Sequence, residues 1–389
     1  MSVLELFKRK TLTVLGLSSG TSMDGIDAAI ITISGNGDIK VKQIYFSVRC
    51  YPQRTRQTLL NLAAAKVYSV DEMALINYSL GELMANAALK VIRENKLKVD
   101  LIASHGQTIR HLPRPKNFQG HKIRATWQIG EGDIIAKRTG IVTVCDFRAG
   151  DVAVSGQGAP LTPFVNYLLF GNRKGVAILN IGGIANLSAW PKNGKPEEII
   201  GFDCGPGNMA VDRLMQRFYR KPYDRDGKIA LTGSVNEELL NELKRHPFFR
   251  KKPPKSTGQE EFGEELVKKV LRWSNAYKIE KKDVVTTISE LTVQAIRDSY
   301  YKFIRPKFKI EELLVTGGGR YNHYLIERLK DLLWPAKISL SEDKGFESKA
   351  LEAISFAVLA YLAVKNLPGN LPKVTGAKRR AILGKICLP

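Results

Sequence analysis

One pattern occurs twice in this chain: a short apolar strand that ends directly in a glycine-rich turn. In the first half, the apolar residues 12–17 are followed by the turn 18–25 and then by a second apolar run. In the second half, the strand at 175–181 ends in Gly182 and Gly183. The turns predict antiparallel hairpins, and their alternation with helical spacing predicts an α/β chain with two related lobes and a cleft between them.

Length and composition agree with two large globular domains. The chain has 389 residues, of which 44% are hydrophobic and 25% are charged. At about 150 residues per domain this length predicts two domains, and the composition excludes a mainly disordered, collagen-like or coiled-coil chain. We expect a first lobe at 1–140 together with 350–389, and a second lobe at 141–349.

The charge balance leaves two interpretations open. Lys and Arg number 60 and Asp and Glu number 38, so the formal net charge is +22. Such a surface favours anionic partners, or it is simply a solvated surface rich in lysine, since the basic residues are spread along the chain. The densest basic cluster, at 245–255, matches no known nucleic-acid-binding motif, so we expect no nucleic-acid partner.

The cysteines and the apolar runs indicate the compartment. Four widely spaced cysteines form no CxxC pair, which favours a reducing compartment and gives no support for a metal site of that kind. The first residues show no secretory signal pattern. The longest apolar stretch, 353–364, is too short to cross a bilayer, and we expect a cytoplasmic protein without a membrane partner.

Four further stretches give local expectations. Helical spacing predicts a helix at 70–95, with Asp71 as its cap, and a last helix at 349–364. Residues 99–108 predict a buried strand that ends in a polar loop. Polar residues and glycines crowd together at 146–161, which predicts a long functional loop.

Two glycine-rich turns are candidate phosphate or nucleotide sites. In the turn 18–25, Gly20 and Gly25 let the backbone approach a ligand, and hydroxyl and N–H groups can surround phosphate oxygens. Asp24 can hold hydrated Mg²⁺; the alternative is a hairpin turn of small residues. Residues 317–319 follow an apolar strand and precede a helix, where free N–H groups attract an anion, and a helix-capping turn is the alternative.

A candidate general base stands in the second half of the chain. Asp203 places a carboxylate at the end of a strand and directly before a rigid glycine–proline turn, where it can accept a proton. A turn or cap aspartate is the alternative. The adjacent Cys204 has no obvious histidine partner, and we expect it to be a packed thiol.

Two polar stretches offer candidate substrate contacts. His105 lies in a polar segment after a buried strand, with a hydrogen-bonded structural histidine as the alternative. Arg148 can pair with an anion and Asp151 can accept a hydroxyl, with an ordered crossing between the lobes as the alternative. The candidate contacts are Ser104, His105, Gln107, Arg148, Asp151 and Gln157.

A series of motifs resembles the anhydro-N-acetylmuramic acid kinase family. In family order they are GLSSGTSMDGIDAA, SHGQTIRH, QIGEGDIIAKRTGI, DFRAGDVAVSGQGAPLTP, LNIGGIANLS, GFDCGPGNMAVD, KSTGQEEF, LLVTGGGRYN, LEAISFAVLA and GNLPKVTGA. SGTSMDG and GFDCGPGN are the most specific of them. The resemblance implies the two-lobed, ribonuclease H-like fold that sugar kinases share with Hsp70 and actin, with a central cleft.

The resemblance also implies a double reaction on one substrate. Water opens a 1,6-anhydro amino sugar, and O6 is phosphorylated in the same active site with ATP and Mg²⁺. In bacterial cell-wall recycling the product is N-acetylmuramic acid 6-phosphate. Members of the family are often homodimers, so the resemblance implies one here.

The same resemblance assigns roles to residues. Asp203 is expected to take a proton from the attacking water, and Glu352 to orient that water, unless Glu352 is a surface residue of an amphipathic helix. Asp24 is expected near the metal. The remaining expected contacts of the nucleotide and its phosphates are Gly20, Thr21, Ser22, Met23, Gly25, Ile26, Asp27, Gly317, Gly318 and Gly319.

The chain departs from the family in one segment. Members commonly carry three arginines in DFRRRDV, whereas this chain has Ala149 and Gly150 after Arg148, and Ser155 stands where glycine is usual. If those arginines bind the lactyl carboxylate of muramic acid, losing such a charged contact costs about 1.5–3 kcal/mol. We therefore hypothesise a preference for an anhydro sugar that lacks the lactyl group.

Two rival functions remain at this stage. One is a different small-molecule kinase on the same fold, in which Asp203 deprotonates an ordinary sugar hydroxyl instead of water. The other is a non-enzymatic nucleotide-binding sensor or a nucleic-acid binder, which only the charge of +22 suggests.

Overall fold

The computed structural model describes residues 2–20, 23–35, 39–63, 67–171, 173–333 and 335–389. The chain forms two compact units. The first comprises Met1–Phe170 and Gly345–Pro389, and the second is Gly171–Lys344.

The elements below are those of the described residues. The strands are β1 (Thr11–Ser19), β2 (Gly25–Ser34), β3 (Lys40–Cys50), β4 (Leu101–Phe118), β5 (His121–Ile129), β6 (Thr143–Cys145), β7 (Val176–Ile181), β8 (Ile184–Trp190), β9 (Ile200–Pro206), β10 (Glu312–Thr316), β11 (Lys337–Leu340) and β12 (Lys385–Cys387). The helices are α1 (Val3–Lys8), α2 (Gln53–Ala63), α3 (Val70–Asn95), α4 (Gly132–Thr139), α5 (Phe147–Ala153), α6 (Thr162–Phe170), α7 (Met209–Tyr219), α8 (Glu237–Lys244), α9 (Gln259–Phe262), α10 (Glu264–Ala276), α11 (Lys281–Ser299), α12 (His323–Leu332), α13 (Leu351–Val364) and α14 (Pro372–Thr375). A π-helical turn, Tyr300–Ile304, continues α11.

The central strands of the two units have the same order and directions. In the first unit, β1 pairs antiparallel with β2 and parallel with β4, while β2 pairs antiparallel with β3 and β4 pairs parallel with β6. In the second unit, β7, β8, β9, β10 and β11 take the places of β1, β2, β3, β4 and β6. This repeated order is ribonuclease H-like, and it confirms the predicted α/β class with two related units.

Side-chain alternation along β1 places a helix on each face of the first sheet. Leu15 and Leu17 point into the core that also contains residues of α3. Gly16 points to the other face, where a Cβ atom would lie 2.0 Å from the carbonyl oxygen of Ala353 in α13. Because Gly16 has no side chain, α13 can lie directly against the sheet, and its first turn carries Glu352.

The second unit has two apolar layers. One packs the sheet against α11 and α12 through residues such as Leu179, Val315 and Ile296. The other joins α7, α8, α10 and α11 to one another. Strand β9, which carries Asp203, therefore has a helical layer on the face to which Phe202 and Cys204 point.

Helix α3 covers the predicted range, 70–95, but its cap differs. The N-cap is Ser69, whose hydroxyl accepts the backbone N–H of Glu72, while the Glu72 carboxylate accepts the backbone N–H of Ser69. Asp71 lies inside the first turn. A reciprocal capping box satisfies two free N–H groups at once, which a single aspartate at position 71 would not do.

Strand β4 is longer than predicted. It continues to Phe118 and pairs with β5 as an antiparallel ribbon, so the backbone groups after residue 108 are bonded to β5. The expected polar loop is therefore a strand with a register shift. His105 and Gln107 lie in that strand, on either side of Gly106, which has φ of 70°.

Residues 146–161 are also more regular than predicted, because Phe147–Ala153 forms α5. The units divide after Phe170 and after Lys344. The sequence predicts divisions after residues 140 and 349. Strand β6 pairs with β4 and β12, which ties this part of the chain to the first sheet.

The last helix, α13, begins two residues after the predicted start and ends at the predicted Val364. Its residues from Ala353 onward are buried. Across the described ranges, helices that combine the length and the apolar character needed to span a membrane are absent.

Candidate active site

The turn between β1 and β2 contains the first group of predicted phosphate contacts. Met23 donates its backbone N–H to the carbonyl of Gly20 at 3.2 Å, and Gly25 begins β2. The side chain of Met23 is buried in the core, so only its backbone is available to a ligand. Thr21 and Ser22 lie outside the described residues.

Three carboxylates meet at this end of the first sheet. Asp24 is exposed, whereas Asp27 is half-buried and Ile26 between them points into the core. Burial, and then the negative charges of Glu352 and Asp24, raise the pKa of Asp27 to about 7. We call Asp24, Asp27 and Glu352 the acidic group.

The acidic group suits a hydrated magnesium ion. Mg²⁺ prefers carboxylate oxygens, keeps several waters and is commonly held by one or two carboxylates together with phosphates. Within the described ranges, clusters of three or more His, Cys, Asp or Glu side chains able to hold a metal by themselves are absent. The buried hydroxyl of Ser18, opposite Asp27 in the ladder, has no hydrogen-bond partner among the described residues. These donors fit Mg²⁺ held jointly with phosphate.

His105 and Arg148 form a buried pair beside α13. Arg148 donates Nε–H to Nε2 of His105 at 3.0 Å and Nη1–H to the carbonyl of Gly158 at 2.9 Å. The His105 ring stacks on Phe356, with 4.1 Å between the ring centroids. Burial, and then the charge of Arg148, hold the pKa of His105 well below its usual range. His105 is therefore neutral, and because Nε2 accepts a hydrogen bond, Nδ1 carries the proton.

Glu352 belongs to the same polar region as Arg148. Burial raises the pKa of Glu352, and the charge of Arg148 opposes that rise. Burial lowers the pKa of Arg148, and the charge of Glu352 opposes that fall. Since the following residues of α13 are buried, Glu352 is not part of an exposed amphipathic face.

The side chains of Ser104 and Gln107 form their hydrogen bonds with residues other than His105. Ser104 faces the opposite side of the sheet, where its hydroxyl lies 3.3 Å from Sδ of Met84 in α3. Oε1 of Gln107 accepts a hydrogen bond from the hydroxyl of Ser19 at 2.5 Å, which holds the end of β1 in place. In this structure Ser104 packs in the core, and Gln107 supports the turn that carries the expected phosphate contacts.

Asp151 and Gln157 organise a loop. Asp151 is fully buried and accepts hydrogen bonds from the backbone of Gly158 at 2.8 Å, the amide of Asn370 at 2.7 Å and the hydroxyl of Thr375 at 2.8 Å. Gln157 is half-buried and donates its backbone N–H to the carbonyl of Thr375 at 2.8 Å. Asp151 thus uses its oxygens inside the protein and ties residues 156–158 to the C-terminal segment.

Asp203 lies on β9 and is held by a neighbouring segment. Its Oδ2 accepts the backbone N–H of Thr257 at 2.9 Å, and its own N–H donates to the carbonyl of Lys255 at 3.0 Å. Burial raises the pKa of Asp203 to about 6, although the Thr257 hydrogen bond and the charge of Lys255 oppose the rise. A half-buried carboxylate with such a pKa can act as a base near neutral pH.

Lys255 lies in the basic cluster at 245–255 and in the motif KSTGQEEF, but the sequence assigns it no role in a site. Its Nζ lies 4.6 Å from the ring centroid of Phe248, 5.4 Å from that of Phe303 and 5.9 Å from that of Phe202. Cys204 points to the same helical layer as Phe202 and is buried. Burial raises the pKa of its thiol to about 12. Cys204 is thus the packed thiol that the sequence predicts.

The three glycines after β10 differ in backbone conformation and in how closely other residues pack against them. Gly317 has φ of 81° and ψ of 177°, and a Cβ there would lie 2.6 Å from Oδ1 of Asn180. Gly319 packs against Ile181. Around Gly318, the nearest atom to a Cβ would be Nδ2 of Asn208 at 3.7 Å, so this position has the most open backbone of the three.

A second hairpin adjoins these glycines. Asn208 donates its backbone N–H to the carbonyl of Gly182 at 2.8 Å, and Met209 and Gly207 donate theirs to Gly183 at 3.2 and 2.9 Å. The turn between β7 and β8 therefore meets the start of α7. The internal repeat predicts a ligand-binding role for this turn, because β7 and β8 correspond to β1 and β2.

Comparison with known proteins gives a match over nearly the whole chain. The family described as anhydro-N-acetylmuramic acid kinase matches residues 12–389. Three proteins with that name are similar to this chain. The one from Caldanaerobacter subterraneus subsp. tengcongensis is 42% identical, with 99% of each chain covered. The one from Bacillus cereus strain Q1 is 39% identical, covering 97% of this chain and 99% of its own. The one from Salinibacter ruber is 37% identical, covering 100% and 99%.

Proposed function

We propose a course of reaction for this chain, which belongs to the anhydro-N-acetylmuramic acid kinase family. Membership makes it an enzyme that phosphorylates an anhydro amino sugar, and the resemblance found in the sequence is confirmed. The residue roles that follow are our proposal. They depend above all on Asp203, a half-buried carboxylate in the middle of β9, where the sequence predicts a strand end, and its pKa is raised to about 6.

Asp203 is the base of the first step. It takes a proton from water as the water oxygen bonds to C1 of the sugar. The bond between C1 and O6 breaks, and its electron pair stays on O6. Thr257 holds one oxygen of Asp203 through a backbone hydrogen bond, which leaves the other oxygen to receive the proton.

The second step uses the oxygen released by the first. O6 attacks the γ-phosphorus of ATP, and ADP leaves. The products are the sugar 6-phosphate and ADP, and Asp203 returns its proton to solvent. Positioning and charge neutralisation supply most of the catalysis in phosphoryl transfer, so the protein has to align its substrates more than activate them.

Glu352 orients the attacking water in this proposal, and the His105–Arg148 pair fixes the polar surroundings of Glu352. A neutral His105 with a proton on Nδ1 offers one N–H donor. We assign that donor to the sugar.

The nucleotide is bound by two sets of residues in the proposal. Gly318 and the adjoining turn of Gly182 and Gly183 receive the nucleotide, and the turn after β1 receives its phosphates. Asp24, with Asp27 beside it, would hold Mg²⁺, which neutralises charge on the phosphates. The raised pKa of Asp27, to which burial and then the charges of Glu352 and Asp24 contribute, supports this assignment, because a bound cation would stabilise the ionised carboxylate.

The substrate we favour is an anhydro amino sugar without the lactyl group. Arg148, the one arginine left in its segment, is engaged by His105 and Gly158. A Cβ at position 150 would lie 3.2 Å from the carbonyl oxygen of Ile382 and from Cδ2 of Leu383, so a side chain there requires these neighbours to shift slightly. Both observations support weak recognition of a lactyl carboxylate by this segment.

The setting of the enzyme is also part of the proposal. We place it in the cytoplasm, as a homodimer that binds neither membrane nor nucleic acid. The family resemblance supports the dimer, and the cysteine pattern supports the compartment.

A coupled ADP-release assay over a panel of 1,6-anhydro sugars tests the function. We expect activity that needs both an anhydro sugar and ATP, and kcat/KM that rises with pH to a plateau above about pH 6, because Asp203 must be ionised to accept a proton. Asp203→Asn should lose this activity while keeping the circular dichroism spectrum and melting temperature of a folded protein. ADP release without a sugar, or full activity of Asp203→Asn, would reject the proposal.

A further inference from the structure

The second unit contains a strongly basic pocket that the reaction does not use. It has a volume of about 200 Å³ and lies between α11 with its π-helical turn and the segment 244–255. Four of its lining residues are cationic and one is anionic, namely Lys244, Arg250, Lys255, Lys302 and Asp298. We call this the basic pocket.

The positive charge of the basic pocket is only partly balanced by the protein. Asp298 lies 3.7 Å from Lys302 and 3.4 Å from Arg297, so its charge is shared with a residue outside the lining. Lys244, Arg250 and Lys255 form no ion pair with any residue the structure describes. Like charges converge here around a cavity, which favours an anion inside it.

Lys255 is the unusual member of the set. Only 8% of it is exposed, and a lysine so buried normally has a carboxylate partner. Its ammonium group faces the rings of Phe248 and Phe303 instead. Burial lowers the pKa of Lys255 most; Cys204 and the charge of Asp203 oppose that fall, and the nearby charge of Lys302 adds to it. An anion bound in the pocket would oppose the fall further.

The basic pocket is separate from the catalytic carboxylate. Side chains alternate along β9, so Phe202 and Cys204 point to the helical layer and Asp203 points to the opposite face. The ammonium group of Lys255 lies near Phe202, on the side of the helical layer. The rings of Phe249 and Phe303 also line the pocket and offer an apolar wall beside the cations.

We propose that the basic pocket binds a phosphate monoester of a small sugar. The phosphate group would lie among Arg250, Lys255 and Lys302, and the sugar against the aromatic wall. Arginine and lysine are the side chains that bind phosphate most strongly, and the combination of a dense positive charge with flat apolar rings suits a phosphorylated ring better than a bare ion.

Occupancy of the pocket acts on Asp203 through the main chain. The carbonyl of Lys255 accepts the N–H of Asp203, and Thr257, two residues further on, donates to its carboxylate. A ligand that binds the ammonium group of Lys255 therefore shifts the segment 255–257, which holds Asp203. This second part rests on the proposed role of Asp203, whereas binding itself does not.

Calorimetric titration of the full chain, without ATP or anhydro sugar, tests the binding. Glucose 6-phosphate is the probe, with glucose and inorganic phosphate in parallel. We expect glucose 6-phosphate to bind more tightly than inorganic phosphate and glucose not to bind. Arg250→Ala and Lys302→Ala should each weaken binding by about tenfold or more, the usual effect of losing one charged hydrogen bond.

Lys252→Ala is the matched control, since it removes one charge from the same segment without lining the pocket. Equal weakening by Lys252→Ala, or unchanged binding in both pocket variants, would overturn the proposal. Tighter binding of inorganic phosphate than of the ester would overturn the assignment to a sugar phosphate. In the kinase assay, glucose 6-phosphate should change kcat of the wild type and not of Lys302→Ala. A kinase that fails to turn over any anhydro sugar would reject the proposed function and leave the calorimetric result standing.

Discussion

Arg148 donates its Nε–H to Nε2 of His105 across 3.0 Å, and this bond decides which ring nitrogen of His105 carries the proton. A guanidinium group can only donate. His105 must therefore accept at Nε2 and keep its proton on Nδ1, and burial keeps the ring neutral.

His105 should thus remain a neutral imidazole at about pH 5.5, one unit below the ordinary pKa of histidine. Nitrogen-15 NMR of the histidine ring reports both its charge and its tautomer, and the signals that disappear in His105→Gln identify it. An imidazolium ring at that pH, or a proton on Nε2, would contradict the arrangement.

Arg148→Lys keeps the positive charge but loses the planar pair of donors that serves His105 and Gly158. We expect kcat/KM for the anhydro sugar to fall by about tenfold to a hundredfold, the usual effect of losing a group that orients a site residue. Arg110→Lys is the control. Arg110 is exposed on β4, the strand that also carries His105, and this variant should retain wild-type kinetics.

Asp27→Asn should stabilise the protein at about pH 8 in the absence of magnesium. The folded state holds the Asp27 proton up to about pH 7, whereas an unfolded aspartate loses it near 3.9, so stability falls as the pH rises through this window and the cost persists above it. Removing the charge should raise the free energy of unfolding by on the order of 2 kcal/mol. Urea unfolding with a chelator measures this, with Asp331→Asn as an exposed control.

The same variant should lose the stabilisation that Mg²⁺ gives the wild type and should lose kinase activity. At about pH 3 the advantage of Asp27→Asn should vanish, because folded and unfolded aspartates are then both largely protonated. A variant that is less stable than the wild type at about pH 8 would show that Asp27 is not repelled by the rest of the acidic group.

Ala149→Arg should restore recognition of the lactyl group. The wild type should prefer anhydro-N-acetylglucosamine to anhydro-N-acetylmuramic acid, and the added arginine should shift the ratio of kcat/KM values towards the second by about tenfold or more. Ala149→Gln is the uncharged control. A strong wild-type preference for anhydro-N-acetylmuramic acid would reject the hypothesis.

Gly150→Arg should not give the same gain. A side chain at position 150 requires Ile382 and Leu383 to shift by a few tenths of an ångström, so we expect a slightly lower melting temperature instead. A stable Gly150→Arg protein with increased activity on the lactyl sugar would contradict this prediction. It would show that Ile382 and Leu383 can move to accommodate the arginine.

Ser155→Gly should stabilise the fold. Ser155 has φ of 69°, a left-handed conformation in which a residue with a Cβ is strained and glycine is not. We expect the free energy of unfolding to rise by about 0.5–1 kcal/mol, since the greater freedom of glycine in the unfolded chain offsets part of the gain. Ser256→Gly, an exposed serine without a left-handed backbone, should show no gain.

The sequence predicts local elements well where one short pattern determines them. The hairpin of β1 and β2, the range of α3 and the strand–glycine–helix order at β10 all follow from apolar spacing and from glycine. The exact cap of α3 was missed because Ser69 and Glu72 act together, and Asp71 alone looked adequate.

The sequence predicts that 350–389 belongs with the first lobe, but it does not predict which distant residues come into contact there. Strand β12 pairs with β6, and α13 lies on Gly16, although more than two hundred residues separate the partners. These pairings place Asp151 against Asn370 and Thr375, with which it forms buried hydrogen bonds. Lys255 escaped prediction for the same reason, since only folding surrounds it with aromatic rings.

Reaction in ¹⁸O-labelled water tests most directly whether Asp203 activates water. The product of a brief incubation is examined by mass spectrometry, and unlabelled product kept in the same labelled water for the same time corrects for exchange at the anomeric carbon. We predict one ¹⁸O atom at C1 of each product molecule and none in the phosphate ester at O6. Product that carries no ¹⁸O at C1 beyond the exchange control would contradict the account, because the kinase would then phosphorylate an ordinary hydroxyl.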